Sequence, residues 1–401
     1  MNDLPERARM QKFERRLVIG LVALIVLIVA LVIAGPWLER RTNAPKPTPA
    51  PGQTETMTAR VVKVIEEGSI ESGFAGAHPY QRLLLHVLSG SLAGQQVIVE
   101  EGTINIIGQE RLFQPGDRVY LERATGPQQE RLYITDFVRT GSLFWIVVLF
   151  VGLVVLVGRG KGLRALTGTM FSLAVILGFI LPQIKAGRDP VSACVVGSIV
   201  LLTISTYLIY GWNLKAHAAL AGMALSLVLT AILAWLFVKW SHLSGFGSEE
   251  SAYLLFELGP NVSLRGVVLG GIIIGALGAL DDVCIGQASA IFELVNANRD
   301  LDWKELFRRS LNIGRDHIAS MVNTLLLAYV GASLPLLMVF TIYQEPLLRR
   351  LNREPVAEEI VRTMVGSVGL VLAVPITSLI ASLLARRAVR REAAQTTGAD
   401  D

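Results

Sequence analysis

Long uncharged apolar runs, separated by short charged flanks, set the main rhythm of the chain. The first is "LVIGLVALIVLIVALVIA", residues 17–34. A secretory signal has an apolar core of roughly 7–15 residues, so this longer run predicts a retained membrane helix over 17–38. After Arg139 seven further runs follow, at 143–158, 163–183, 190–210, 216–238, 264–284, 318–343 and 360–385. A spanning helix needs about 20 residues. Thr140–Ser142 extend the short run at 143–158 toward that length. The pattern predicts eight transmembrane helices.

Between the first two helices the period changes. Residues 39–56 are rich in Pro, Thr and Ala, carry no apolar period and predict an extended linker. Residues 57–139 then carry short, partly alternating runs, "TARVVKVIEEG", "QRLLLHVLSG", "QQVIVEEG", "DRVYLERA" and "RLYITDFVR", divided by Gly, Pro and Asp. This is the signature of about five strands. In so short a segment they can close as a small OB-like or SH3-like barrel. Lys and Arg are spread along this segment with no aromatic stacking motif, so nucleic-acid binding is not expected.

Two connecting segments have helical signals. In "LDWKELFRRSL", Asp302 and Glu305 have capping-box spacing, and Leu301 can staple onto Leu306. Trp303, Leu306, Phe307 and Leu311 then share a face, as in a helix lying on a membrane surface. In "GSEESAYLLFEL", Ser248 is placed to cap a short helix. "QEPLLRRLNREPVAEE", bracketed by Pro346 and Pro355, reads as a short interfacial piece.

Composition agrees with this class. Hydrophobic residues make up 52% of the 401 and charged ones 17%, with mean hydropathy +0.51. Soluble proteins average about 25% charged. The fold class expected is therefore a polytopic α-helical membrane protein with a small extracytoplasmic all-β domain between helices 1 and 2. The net charge of +4 sits in helix flanks, where it sets orientation. With the N-terminus inside, eighteen Lys and Arg fall in inside segments and eight in short outside loops. Both termini, 1–16 and 386–401, are then cytoplasmic, and 140–385 forms a seven-helix block. Cys194 and Cys284 lie toward opposite faces of the bilayer, and two Cys make no zinc site. The five His show no ligand spacing, so neither a metal nor a cofactor is expected.

The stretch "RGVVLGGIIIGALGALDDVC" departs from the pattern. Fifteen uncharged residues follow Arg265, and then two carboxylates, Asp281 and Asp282, stand side by side. Charge at that depth is costly and calls for a partner or a use. At 100° per residue, Gly271, Gly275, Gly278, Asp282, Ser289 and Glu293 fall near one line. Small residues let another helix come close, so Gly271, Gly275 and Gly278 are candidate packing glycines. Asp282 is then expected toward the bundle interior, with Asp281 about 100° away. Asp282, Asp281, Ser289 and Glu293 form a candidate proton or ion site. The competing reading makes Asp282 the cap of a second short helix, beginning where the membrane helix breaks.

The stretches "GIIIGALGALDDVCIGQASAIFEL", "AYVGASLPLLMVF" and "VAEEIVRTMVGSVGLVLAVPITSLIA" resemble the YibE/F-like family of bacterial integral membrane proteins. The resemblance implies a polytopic plasma-membrane protein of uncharacterised activity, and it carries over no ligand or catalytic residue. The function expected is a transporter or permease for a small solute or ion. The alternative is an envelope scaffold or sensor whose β domain binds a protein partner. No nucleophile–base pair, phosphate loop or His-rich motif marks an enzyme.

Overall fold

The computed structural model describes residues 54–72, 76–103, 108, 111–125, 130–259, 262–342 and 345–397. The helix expected at 17–38, the basic start at 1–16 and most of the linker lie outside the described residues. The chain divides into two compact units, 1–163 and 164–401.

The first unit contains five antiparallel strands: β1 Thr54–Ser72, β2 Gly76–Val87, β3 Gln96–Glu101, β4 Arg118–Thr125 and β5 Glu130–Phe137. Their order is β3-β2-β1-β4-β5. β1 is long enough to serve two partners, its first half pairing with β4 and its second with β2. Register shifts at Val61/Lys63 and Val64/Glu66 bend it between those tasks. Alternation puts Met57, Ala59, Val61, Leu83, Leu85, Val87, Val119 and Leu121 into one core with Phe113 and Ile134.

Polar side chains tie the rim of this sheet. The Ile134 N–H donates to the Glu101 carboxylate (2.8 Å), joining β3 to β5. Gln81 accepts from the Phe113 N–H (2.8 Å) and donates to its carbonyl (3.2 Å). Burial pushes the Glu101 carboxyl above its ordinary range, opposed by the Ile134 N–H and by Arg111.

The apolar runs become helices. α1 covers Thr140–Val175 with a break at Arg159, whose φ of 47° and ψ of −132° are not helical. A Cβ on Gly162 would stand 2.2 Å from the Val154 carbonyl oxygen, so the chain folds back there only without a side chain. The break coincides with the charged gap expected between 158 and 163. One π-helical turn, Ile176–Ile180, then leads into α2, Leu181–Lys185. The extra residue in that turn answers Pro182, whose ring clashes with a regular i−4 carbonyl.

There follow α3 Pro190–Tyr210, α4 Leu214–Trp240, α5 Glu249–Leu258, α6 Leu264–Ala297, α7 Trp303–Ala332, α8 Leu334–Ile342, α9 Leu347–Leu351 and α10 Glu354–Thr397. Ser248, Ser263, Asn213 and Asp189 cap their helices by accepting backbone N–H groups, Ser248 as the sequence predicts. By length and apolarity, five helices of the described residues can cross a membrane, or six if α7 and α8 count as one bent span. The protein is thus a polytopic helical membrane protein with an N-terminal antiparallel sheet.

The surface helix expected at 301–311 is the first third of α7 and continues into the apolar run. Asp302 occupies the cap position, but its side chain accepts no cap hydrogen bond, and Glu305 pairs with Arg308 and Arg309. The apolar run at 318–343 does not stay straight. It bends by 64° between α7 and α8, where Pro335 interrupts the ladder.

The centre of the second unit is a seam between α4 and α10. Ala218, Gly222, Ser226, Thr230 and Ala234 repeat every fourth residue on α4, and Gly369, Ala373, Thr377, Ala381 and Ala385 on α10. All are buried. A Cβ on Gly222 would lie 2.2 Å from Thr377 Oγ1, and one on Gly369 2.1 Å from Thr230 Oγ1. Small residues at this spacing let two backbones approach without a hydrophobic driving force. α6 packs on the same seam through Ile273, Ala276, Leu280, Cys284 and Ala288.

Candidate functional site

α6 runs unbroken from Leu264 to Ala297, so Asp281 and Asp282 stand inside a continuous helix and not at a helix start. Their placement reverses the split drawn from helical phase. Asp282 is exposed, whereas Asp281 is half-buried with Oδ1 fully enclosed and without a hydrogen-bond partner. The line Gly271, Gly275, Gly278, Asp282 and Glu293 is the exposed side of α6. A Cβ on Gly271 or Gly278 would meet nothing within 4 Å, and one on Gly275 would meet the Tyr329 hydroxyl at 2.8 Å. The close helix approaches of α6 fall instead on Gly266, against Pro190, and Gly270, against Cys194 Sγ at 2.5 Å.

Both carboxylates line a cleft of about 400 Å³ formed within the second unit by the later part of α1, the π turn, α3 and α6. Its polar groups are Thr169, Ser172, Ser205, Tyr210, Asp281 and Asp282, and its floor is apolar, with Leu201, Leu202 and Leu277. Thr169 donates to the Ala165 carbonyl (3.1 Å) and Ser205 to that of Leu202 (3.4 Å), so their oxygens are left as acceptors. Gly278 forms part of the wall and leaves room beside Asp282. A cleft with two carboxylates and several hydroxyls in an apolar surround suits a proton or a small cation.

Ser289 and Glu293 do not line this cleft. Glu293 lies eleven residues beyond Asp282, about 16 Å along the helix. A second cleft, about 440 Å³, opens between α6 and α7 and is lined by Gly286, Gln287, Ile313, Asp316, His317 and Ser320. Behind it a buried polar knot joins three helices. Ser310 Oγ donates to Gln287 Oε1 (3.0 Å) and lies 2.9 Å from Ser378 Oγ. Gly314 is essential to this crossing: a Cβ there would stand 2.1 Å from Gln287 Nε2. Among the described residues no group of three or more His, Cys, Asp or Glu is placed to hold a metal ion.

At the start of α6 and α10 lies a clasp that the sequence pattern did not announce. Glu354 accepts from the Ser244 N–H and hydroxyl and from the Gly245 N–H (2.9 Å). Gly245 has φ +90°, and a Cβ there would meet the Leu264 backbone at 2.5 Å. Arg265 donates from Nε to the Leu243 carbonyl (2.8 Å). The same loop therefore touches the first turns of both helices. Its partners are 110 residues apart, a separation that no local signal spans.

A sequence model of the family described as YibE/F-like protein matches residues 146–387. No curated protein and no solved structure matches the chain.

Proposed function

The chain belongs to the YibE/F-like family, and from that premise we propose that it is a transporter- or permease-like protein of the bacterial plasma membrane, moving a small solute or ion, with Asp281 as the group that takes up a proton or cation. The observation that carries this reading is the enclosed, unpartnered Oδ1 of Asp281 at a polar cleft in an apolar helix bundle. A carboxylate oxygen with no donor costs free energy unless a proton or cation meets it. Asp282, on the exposed side of the same turn, then serves as the entry group.

The full architecture proposed is eight spanning helices with both termini cytoplasmic and the β unit outside. Its support is the Arg159 break, which divides Thr140–Lys185 in two, together with the Lys and Arg bias across the loops. The contact of Glu101 with β5 supports a sheet that closes as an OB-like barrel.

The test uses the proton itself. Full-length protein is reconstituted in vesicles that hold a pH-sensitive dye, and a membrane potential is imposed. Asp281→Asn keeps the size and removes the charge, and it should abolish proton movement. Asp282→Asn should slow it by less. A folded Asp281→Asn protein that conducts like the wild type ends this reading.

A second reading has its own observation. The β unit has a separate core and a buried polar rim, as a binding module would. On that reading the protein is a non-transporting envelope scaffold or sensor. Removing residues 54–139 would then abolish its role, whereas the transporter reading leaves proton movement in place.

A further inference from the structure

Among the described carboxylates, two have an oxygen that is both enclosed and without a hydrogen-bond partner: Asp281 and Glu358. Asp281 belongs to the cleft already assigned. Glu358 does not. It stands on the second turn of α10, 6% exposed, beneath the loop that Glu354 clasps.

The two neighbouring carboxylates of α10 are treated very differently. Glu354 takes the donors of Ser244 and Gly245. Glu358 faces the single N–H of Gly247, and its Oε1 receives nothing. The loop backbone lies directly on this carboxyl, since a Cβ on Gly247 would stand 2.7 Å from Glu358 Cδ. Water is therefore kept from Oε1. The charged groups that act on Glu358 from its own helix are Glu354, Arg362 and Glu359. Arg362 is already paired with Glu359. From the facing elements, Arg265 of α6 is engaged by the Leu243 carbonyl, and Tyr329 of α7 lies near Arg362 and Glu359. Glu354 and Glu359 repel an ionised Glu358, and Arg362, the cation that acts on it, makes its ion pair with Glu359.

Depth gives this group its meaning. The clasp brings the first turns of α6 and α10 to one loop. Asp281 is seventeen residues past Leu264, and Glu358 four past Glu354. The two carboxyls are thus about 20 Å apart along the helix axes, a large share of the roughly 30 Å hydrocarbon core. On the turns of α10 that follow Glu358, Thr363 and Ser367 carry buried hydroxyl groups.

We propose that Glu358 is a second proton-binding carboxyl, placed near the opposite membrane face from Asp281 and covered by the 244–247 loop; its pairing with Asp281 rests on the transport reading above. The step is a simple proton exchange. A hydronium ion at the loop side gives its proton to Oε1, an O–H bond forms there, and a water molecule is released. Loss of the proton leaves a buried carboxylate beside Glu354, which favours lifting of the loop and access from that face.

Infrared spectra of the full-length protein in lipid nanodiscs test this. At about pH 5.5 ordinary carboxyls are still mostly ionised, so a protonated-carboxyl C=O band that has grown in by that pH reports chiefly unusual sites. The wild type should show two such components. Glu358→Gln should remove one and Asp281→Asn the other. Glu358→Asp should move the first band without abolishing it, which guards against a Gln variant that fails to fold. If Glu358→Gln leaves the spectrum unchanged, Glu358 is ionised, held by Arg362, and the proposal is overturned while the Asp281 reading stands. If Asp281→Asn leaves it unchanged but Glu358→Gln does not, the Glu358 site stands and Asp281 loses its role as a proton-binding group.

Discussion

Gly314→Ala is expected to be among the most damaging single-methyl additions in the membrane unit. The new Cβ would stand 2.1 Å from Gln287 Nε2 and 2.4 Å from Val374 Cγ1, so both α6 and α10 must give way. Overpacking of this kind costs about 1–3 kcal/mol. Displacing Gln287 also breaks its bond with Ser310, and a buried polar group left unmet costs about 1–3 kcal/mol more. Alanine returns at most about 1 kcal/mol through its helix propensity. The net loss is therefore about 3 kcal/mol, or a fall in melting temperature on the order of 6–12 °C. Gly271→Ala is the control. Its Cβ meets nothing within 4 Å, so it should be neutral or slightly stabilising. Cys194 and Cys284 are free and buried, so a fluorogenic thiol reagent reports unfolding of the unaltered chain. Gly314→Ala with Gln287→Ala should recover part of the loss, because the nearest clashing atom is gone. If Gly314→Ala melts within about 2 °C of the wild type, the three-helix crossing is not packed as described.

Four further outcomes are expected. The fragment 54–139 should be soluble and strand-rich by circular dichroism, and a disordered fragment would remove the case for independent folding. Its stability should rise as pH falls from neutral toward the ordinary carboxylate range, because the folded state holds a proton on Glu101 more tightly than the unfolded chain does. Glu101→Gln keeps an acceptor for the Ile134 N–H and should flatten that dependence; an unchanged slope would clear Glu101 of responsibility. Glu354→Ala removes an ionised acceptor worth about 1.5–3 kcal/mol, so the Ser244 and Gly245 amides should exchange with deuterium roughly ten- to hundredfold faster. Unaltered exchange would show that the clasp holds nothing. For topology, Ala93→Cys and Asn298→Cys, in a background lacking Cys194 and Cys284, should differ on intact cells, an impermeant thiol reagent reaching only the first. Labelling at 298 would invert the orientation.

Much of this architecture is legible in the residues. The alternation of "QRLLLHV" and "DRVYLERA" gives strands with one buried face, because water rewards that alternation. The gap at Arg159 and the Ser248 cap are equally local. The orientation of α6 is another matter. In lipid an apolar side chain gains little by turning inward, so hydrophobic pattern does not mark the packed side. That is why the exposed line of Gly271, Gly275 and Asp282 could be mistaken for the interior one. A signal was present elsewhere, in the small residues repeating every fourth position from Ala218 to Ala234 and from Gly369 to Ala385. The Glu354 clasp and the Gln287–Ser310–Ser378 knot join distant segments, and no window of sequence contains them.

The bend between α7 and α8 has a consequence for where water must stand. From residue 318 to the end of α7 the helix rises about 22 Å. α8, nine residues long and tilted by 64°, adds only about 6 Å of height. A crossing by this pair is thus barely as tall as the oily layer of roughly 30 Å. In such a crossing Ser333 and Pro335 would lie nearer the headgroups than mid-depth. That is where the break is cheapest. Carbonyls that lose a ladder partner at Pro335 would be stranded in hydrocarbon, but at the interface the wet boundary can solvate them. The kink reads as a shoreline, the level at which this helix can stop satisfying itself and let the solvent do it.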